Sequence, residues 1–306
     1  MEVPLGFGSI NVSLPDCNVD GATPSGGETV SVHKAAVDAV DDPHGPNLQH
    51  LVNPDDTVAI VVTDITREAP DDVLLDVLLN RLRRCGIVRE QISVVLGLGL
   101  HRPMDDSEIE TALGKHADLA ENHDPGATLT LGQVDGVDIE ISRTVAAADQ
   151  ILATGVVEPH QYAGFSGGAK TVVIGAGGES QIGYTHGPEL LSKSGVRLGQ
   201  IADNPFRGFL DKAGDIVGPD FCVNLTHGPM GTLGVEAGQP RKVVQALAET
   251  AREALAVEVE DGYDAVIAGI GAPKDASLYQ ASRAATYVAL GAHNPLKSEG
   301  KIIVPA

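Results

Sequence analysis

Four short runs of aliphatic, largely β-branched residues punctuate the chain: TVAIVVTD (57–64), QISVVLGLG (91–99), DQILATGVV (149–157) and KTVVIGAGG (170–178). Each ends in glycine or a polar residue, and each predicts a buried strand. Between the first two, DDVLLDVLLNRLRRCG places apolar residues at helical spacing, opens on acids, closes on arginines and meets Gly86 as its stop. Strand, helix and strand in that order predict a βαβ unit. A second unit is expected at the end, where DGYDAVIAGIGA reads as a strand, SLYQASRAATYVALGAH as a helix and GKIIVPA as a strand. The fold class is therefore α/β. RKVVQALAETAREALA (241–256) predicts an amphipathic helix, and the acidic stretch VEVEDGYD after it is the best candidate for a domain boundary. The expected division is a large N-terminal domain over 1–260 and the start of a second α/β domain over 261–306. The second piece is short for an independent domain, so it is expected to be incomplete.

Composition narrows the function classes. A chain of 306 residues with 42% hydrophobic content can bury one large or two medium cores. Acidic residues outnumber basic ones 42 to 21, for a formal net charge of -21. Such a surface repels nucleic acid and anionic membranes, so neither is an expected partner. The acids come in short pairs along the whole length, such as Asp41-Asp42, Asp55-Asp56 and Asp105-Asp106, whereas an interaction tail would concentrate them. That spread is expected of a halophilic protein in a salty cytoplasm, where high ionic strength screens self-repulsion. Cys17, Cys85 and Cys222 are odd in number and far apart, so neither a disulfide framework nor a thiolate zinc site is suggested. With no basic leader and no apolar stretch of about twenty residues, a cytoplasmic protein is expected.

The candidate chemistry lies at strand ends and glycine-rich turns, where α/β proteins place their ligands. In Thr63-Asp64-Ile65-Thr66-Arg67-Glu68-Ala69-Pro70 a strand runs into a carboxylate, a hydroxyl and a guanidinium. Arg67 could grip a carboxylate or phosphate in a bidentate fork, or simply pair on the surface beside an Asp64 cap. Gly97-Leu98-Gly99-Leu100-His101 delivers a histidine just past a strand, able to move protons near neutral pH. Glu158-Pro159-His160-Gln161-Tyr162-Ala163-Gly164-Phe165-Ser166-Gly167-Gly168-Ala169-Lys170 sets three glycines ahead of a lysine. Its backbone could aim N–H groups at an anion, but its spacing is not that of a Walker A loop. Lys170 then has another task, an ion pair with a phosphate or a covalent bond through its amine. His186 adds a candidate metal ligand. The other histidines, His116, His123 and His227 among them, are expected at the surface.

TDITREAP, GLGLHRPM, PHQYAGFSGGAK, the histidine sixteen residues after its lysine, DNPFRGFLDKAG and PKDASLYQASR closely resemble, in the same order, the motifs of the nickel-pincer lactate racemase family. The resemblance implies a two-domain architecture with Rossmann-like βαβ units, of which this chain carries a truncated C-terminal domain. It also implies nickel held by a nickel-pincer nucleotide, pyridinium-3,5-bisthiocarboxylic acid mononucleotide, and a hydride shuttle on a small 2-hydroxy acid. By position, Lys170 would carry the cofactor covalently and His186 would ligate nickel. Asp64, Thr66, Ser166, Gly167 and Gly168 would lie against the cofactor, and His101 and His160 would be the acid/base pair, assisted by Arg67. A racemase reduces a planar keto intermediate from either face, which suggests a base on each side. Arg67, Tyr279, Gln280 and Arg283 would meet the substrate. Arg283 stands where lactate racemase has a lysine, so the substrate could be lactate, malate, another 2-hydroxy acid or a sugar. The implied partners are that substrate and the cofactor-synthesis enzymes, and a homo-oligomer is allowed. Against this isomerase reading stand a cofactor-binding paralogue without turnover and a histidine-ligated zinc or iron hydrolase.

Overall fold

The computed structural model describes residues 1–305 apart from 261, 273, 274, 276 and 292, and leaves out the side chain of Tyr279. The Pro273, Lys274 and Ala276 positions of the PKDASLYQASR segment thus lie outside the described residues. A hairpin of β1 (Glu2–Leu5) and β2 (Gly8–Asn11) precedes helix α1 (Val32–Asp41). Then come β3 (Val58–Thr63), α2 (Asp71–Arg84), β4 (Ile92–Gly97), α3 (Asp106–Leu113) and β5 (Ala120–Asn122). A second hairpin, β6 (Thr128–Val134) and β7 (Val137–Ser142), leads through the short α4 (Arg143–Ala147) into β8 (Gln150–Val156). The glycine-rich segment forms a small hairpin, β9 (Pro159–His160) and β10 (Gly164–Phe165), followed by α5 (Ala169–Val173), α6 (Glu179–Thr185) and α7 (Pro188–Leu191). Beyond them lie α8 (Pro205–Val217), β11 (Phe221–Gly228), β12 (Gly231–Gly238) and α9 (Pro240–Leu255). The chain ends on β13 (Tyr263–Ile267), α10 (Leu278–Ala289) and β14 (Leu296–Ile303).

The main sheet has the order β12-β11-β8-β3-β4-β5, parallel except for the antiparallel β12 at its edge. Its centre, β3, is buried from Val58 to Val62, as a parallel strand covered on both faces must be. One apolar cluster lies on each face: α1 and α2 pack with Ile60, Val62 and Val94, while α5, α8 and α9 pack with Ala59, Val61 and Ala153. Three predicted strands are confirmed as β3, β4 and β8, and two of the three predicted helices as α2 and α9. The final βαβ unit is also found, with β13 and β14 pairing in parallel. The β1–β2 hairpin lies against it, for Ala272 N–H donates to the Gly6 carbonyl.

Two expectations are corrected. KTVVIGAGG is not a strand: Ala169–Val173 is a helical turn, and Gly175 closes against Gly97 at the end of β4. A short apolar run fits a buried helix as well as a buried strand, and here the glycines on either side decide. Gly167 and Gly168 both take positive φ, 78° and 59°, and turn the chain off β10 into α5. His116 and His123 are buried rather than at the surface, and His123 Nε2 meets the Gly177 carbonyl at 2.8 Å. No helix among the described residues is long and apolar enough to cross a membrane.

Candidate active site

The C-terminal ends of β3, β4 and β8 open into a cavity of about 500 Å³, capped by α5, α6 and one face of α10. It brings together Asp64, Arg67, His101, His160, Ser166, Gly167, Lys170, His186 and Arg283. Thr66, Gly168 and Gln280 do not line it. The side chain of Tyr279 is outside the described residues.

Asp64 follows β3 and is buried, and its Oδ1 accepts from the Thr66 amide and hydroxyl at 3.0 and 2.6 Å. Thr66 therefore acts on the site by fixing this carboxylate. Asp64 Oδ2 lies 2.5 Å from Nδ1 of His101. A carboxylate can only accept, so in the neutral imidazole Nδ1 carries the proton and Nε2 keeps its lone pair. Burial by itself would raise the Asp64 carboxyl, but the hydrogen bonds from His101 and Thr66 outweigh it and hold the group below its ordinary range.

Lys170 sits in the first turn of α5 beneath the cavity. Burial, reinforced by the positive charges of Arg67 and Arg207, pulls its amine down to about 7. A substantial fraction is then an uncharged nucleophile near neutral pH. His186 caps α6, and its Nδ1 lies 3.0 Å from the Ile182 carbonyl. The carbonyl requires an N–H, so Nε2 of His186 is left with a lone pair suited to a metal ion. Among the described residues no cluster of three or more His, Cys, Asp or Glu side chains is built to hold a metal. The donor set fits a cofactor that brings most of its own ligands and needs one histidine and one amine from the protein.

The glycine-rich hairpin is fixed from behind. The Ser166 hydroxyl donates to the Val156 carbonyl at 2.6 Å and accepts from the Glu158 amide, so it staples β8 to the loop. The Gly168 amide donates to Asn224 Oδ1 at 2.7 Å, and a Cβ there would meet Val244 and the Pro240 carbonyl. Of the two glycines, Gly167 faces the cavity and Gly168 serves packing. The buried Arg207 on α8 donates to the carbonyls of Ala163 and Phe165, and Asn204 Nδ2 donates to the Tyr162 carbonyl at 2.8 Å. Burial drags the Arg207 guanidinium down to about 10.

Sequence reasoning missed several of these residues. Arg67 is ion-paired with Glu158, and Arg283 of α10 is hydrogen-bonded to Tyr287, which also feels the Glu158 charge. Glu158 stands directly before the Pro-His pair, so its place in the motif was the one available signal. Asn224 and Tyr287 reach the site through sheet order and the packing of α10, which local sequence does not carry.

The family model for the lactate racemase N-terminal domain matches residues 5–199. The chain is 25% identical over 321 aligned residues to the lactate racemase of Thermoanaerobacterium thermosaccharolyticum, covering 100% of this chain and 74% of that protein. It is 26% identical to the lactate racemase of Lactiplantibacillus plantarum, with the same coverage. The structure of the lactate racemase apoprotein from T. thermosaccharolyticum superposes with a TM-score of 0.88 at 24% identity, over 99% of this chain and 73% of that one. A crystal structure of a Thermotoga maritima protein shares the fold more loosely, with a TM-score of 0.60 at 19% identity over 77% of this chain and 61% of that one. With the family model covering well over half its length, the chain belongs to the lactate racemase family.

Proposed function

We propose that this protein racemises or epimerises a small 2-hydroxy acid, using a nickel-pincer nucleotide attached through Lys170 and ligated through His186. The observation that carries the reading is one cavity holding a buried amine drawn down to about 7, a histidine with Nε2 left bare by the Ile182 carbonyl, and a His101–Asp64 dyad. When bound, that cofactor supplies an acceptor that takes the hydride from the hydroxyl-bearing carbon and returns it. The chain's own part is positional and acid–base. Asp64 holds His101 in the tautomer whose Nε2 can take the hydroxyl proton. Arg67 and Arg283 offer guanidinium groups to the substrate carboxylate, and Glu158 tempers the first of them. Relatives in this family are named lactate racemase, so lactate is the first substrate to offer. The guanidinium of Arg283 has a wider fork than an ammonium and also suits larger 2-hydroxy acids such as malate.

The test is to load the protein with cofactor and follow single enantiomers of lactate, malate and other 2-hydroxy acids by chiral chromatography, with deuterium at C2. The expected result is a racemic mixture of at least one acid with the label kept at C2, because a hydride that leaves and returns does not exchange with water. Racemisation with loss of the label to solvent would instead mean proton abstraction from carbon and would overturn the reading.

A further inference from the structure

A second cavity, of about 460 Å³, lies at the opposite end of the main sheet from the active site. Ile92 in its wall is the first residue of β4, whereas Gly97 in the active-site cavity is the last, which sets the two about 17 Å apart along the strand. Leu79, Ile87 and Val88 make part of its lining apolar, and Val88 is left 53% exposed. The charged residues around it are chiefly basic. Arg83 from α2, Arg89 from the turn before β4 and Lys115 from the 3-10 stretch Gly114–Leu119 are set against one carboxylate, Asp76. In a chain of net charge -21 this is an unusual concentration, for four of its twelve arginines fall between positions 81 and 89.

The buried member of the group is His116, 5% exposed, whose two ring nitrogens find no hydrogen-bond partner among the described residues. Nε2 lies 3.5 Å from Asp76 Oδ1, too far for a good hydrogen bond, and Nδ1 meets no acceptor or donor. A buried N–H without an acceptor is costly, so an imidazole that lines a cavity with its N–H unused is a donor ready for a ligand. We propose that this cavity binds a small organic anion, with its acid group on Arg83, Lys115 and His116 and its apolar body against Leu79, Ile87 and Val88. The site is independent of the racemase reading.

Helix electrostatics accounts for only part of this cluster. Cations in the last turn of α2 offset the negative end of the helix, which explains Arg81, Arg83 and Arg84. It does not explain why Arg89 and Lys115 reach the same cavity from two other elements, nor why His116 is left unbonded. The existing ion pairs leave room for a ligand. Arg89 donates to Asp118 and to the Lys115 carbonyl, so it fixes the turn that carries Lys115 and His116. Lys115 pairs with Asp76 at 2.5 Å, but its side chain is 70% exposed, so the pair contributes little and is readily exchanged. Arg83 is exposed and has no carboxylate partner among the described residues. Burial first, then the Lys115 charge, hold the His116 imidazole below its ordinary range. Of the charged groups around the ring, Asp76 favours the imidazolium, Lys115 and Arg89 oppose it, and Arg83 lines the same cavity. A bound anion shifts that balance toward the imidazolium, so binding draws a proton onto His116.

The experiment uses the full chain labelled with ¹⁵N-histidine, with the His116 signals identified by their loss in His116→Gln and benzoate as the probe. Benzoate is expected to shift the His116 resonances and raise the pH at which they titrate, so that its affinity grows as the pH falls from about 8 to 5.5. Acetate, which has the acid group alone, and benzyl alcohol, which has the ring alone, are each expected to bind at least about tenfold more weakly. Lys115→Gln and Arg83→Gln, both at exposed positions, are each expected to weaken benzoate about tenfold. Phenyl phosphate at pH 8 separates the two head-group chemistries: the tighter of it and benzoate names the acid group, and saturable binding of either supports the site. The proposal is overturned if neither shifts His116, if acetate does so as well as benzoate, or if the shifts survive both substitutions unchanged. Anion binding confined to the active-site cavity would move His101 and His186 instead and would likewise overturn it. Failure of the racemase reading would leave this result untouched.

Discussion

Lys170 illustrates how a single residue can be costly to the fold and useful to the site. Its amine falls from 10.5 to about 7 on folding, chiefly through burial. Between those values the unfolded chain holds a proton that the folded chain lacks, so this group makes stability rise with pH across that window. Below about pH 7 the full penalty applies, and above 10.5 it vanishes. Lys170→Met, which keeps the volume without the charge, is therefore expected to raise Tm by about 2–4 °C near pH 6.5 and by less near pH 9.5. Calorimetry at the two pH values checks this, and a difference independent of pH would contradict it. The identities of Lys170, His101 and His186 were legible in the sequence because each sits in a motif. Their protonation was not, because it depends on partners as different as Asp64 Oδ2, the Ile182 carbonyl and, for Lys170, burial beside the charges of Arg67 and Arg207. Ser166 and Gly168 show the same limit: the resemblance sets both against the cofactor, but the Val156 carbonyl and Asn224 engage their polar atoms, and Gly168 does not line the cavity.

Among the elements, those with a clear period were readable. The apolar spacing of α2 and α9 and the unbroken β-branched run of β3 each admit one interpretation. KTVVIGAGG did not, since five residues cannot distinguish a buried strand from a helical turn. The β11–β12 hairpin escaped notice because THGPMG lacks the tight two-residue turn signal and glycines interrupt β12. The β9–β10 hairpin is the element on which the site depends most. A Cβ on Gly164 would lie 2.0 Å from the Gln200 carbonyl oxygen, at a φ of 76° that penalises any side chain. Gly164→Ala is expected to destabilise the protein by about 3 kcal/mol, as an unfolding midpoint in urea would show. A change below about 0.5 kcal/mol would mean that the hairpin is free to adjust.

Across the whole molecule, the α/β class and the position of the cavity at the strand ends followed from the alternation of strands and helices. The joining of α10 to the cavity did not, because nothing local places Arg283 in one cavity with Lys170. The charge distribution also belongs to this scale. With a net charge of -21 and acidic pairs exposed at 41–42 and 105–106, self-repulsion opposes the compact state. Raising NaCl from about 0.1 to 2 M is expected to increase Tm by several degrees by shortening the screening length; a Tm that is flat or falls would show that the acids are locally compensated. The central claim is that this cavity receives a nickel-pincer nucleotide on Lys170 and His186. It is tested most directly by peptide mass spectrometry and metal analysis of protein co-expressed with the cofactor-synthesis enzymes. The account predicts an adduct on Lys170 with nickel near one per chain, and in His186→Ala the adduct retained but nickel largely lost. An unmodified Lys170 without nickel, under conditions that load another member of the family, would contradict it.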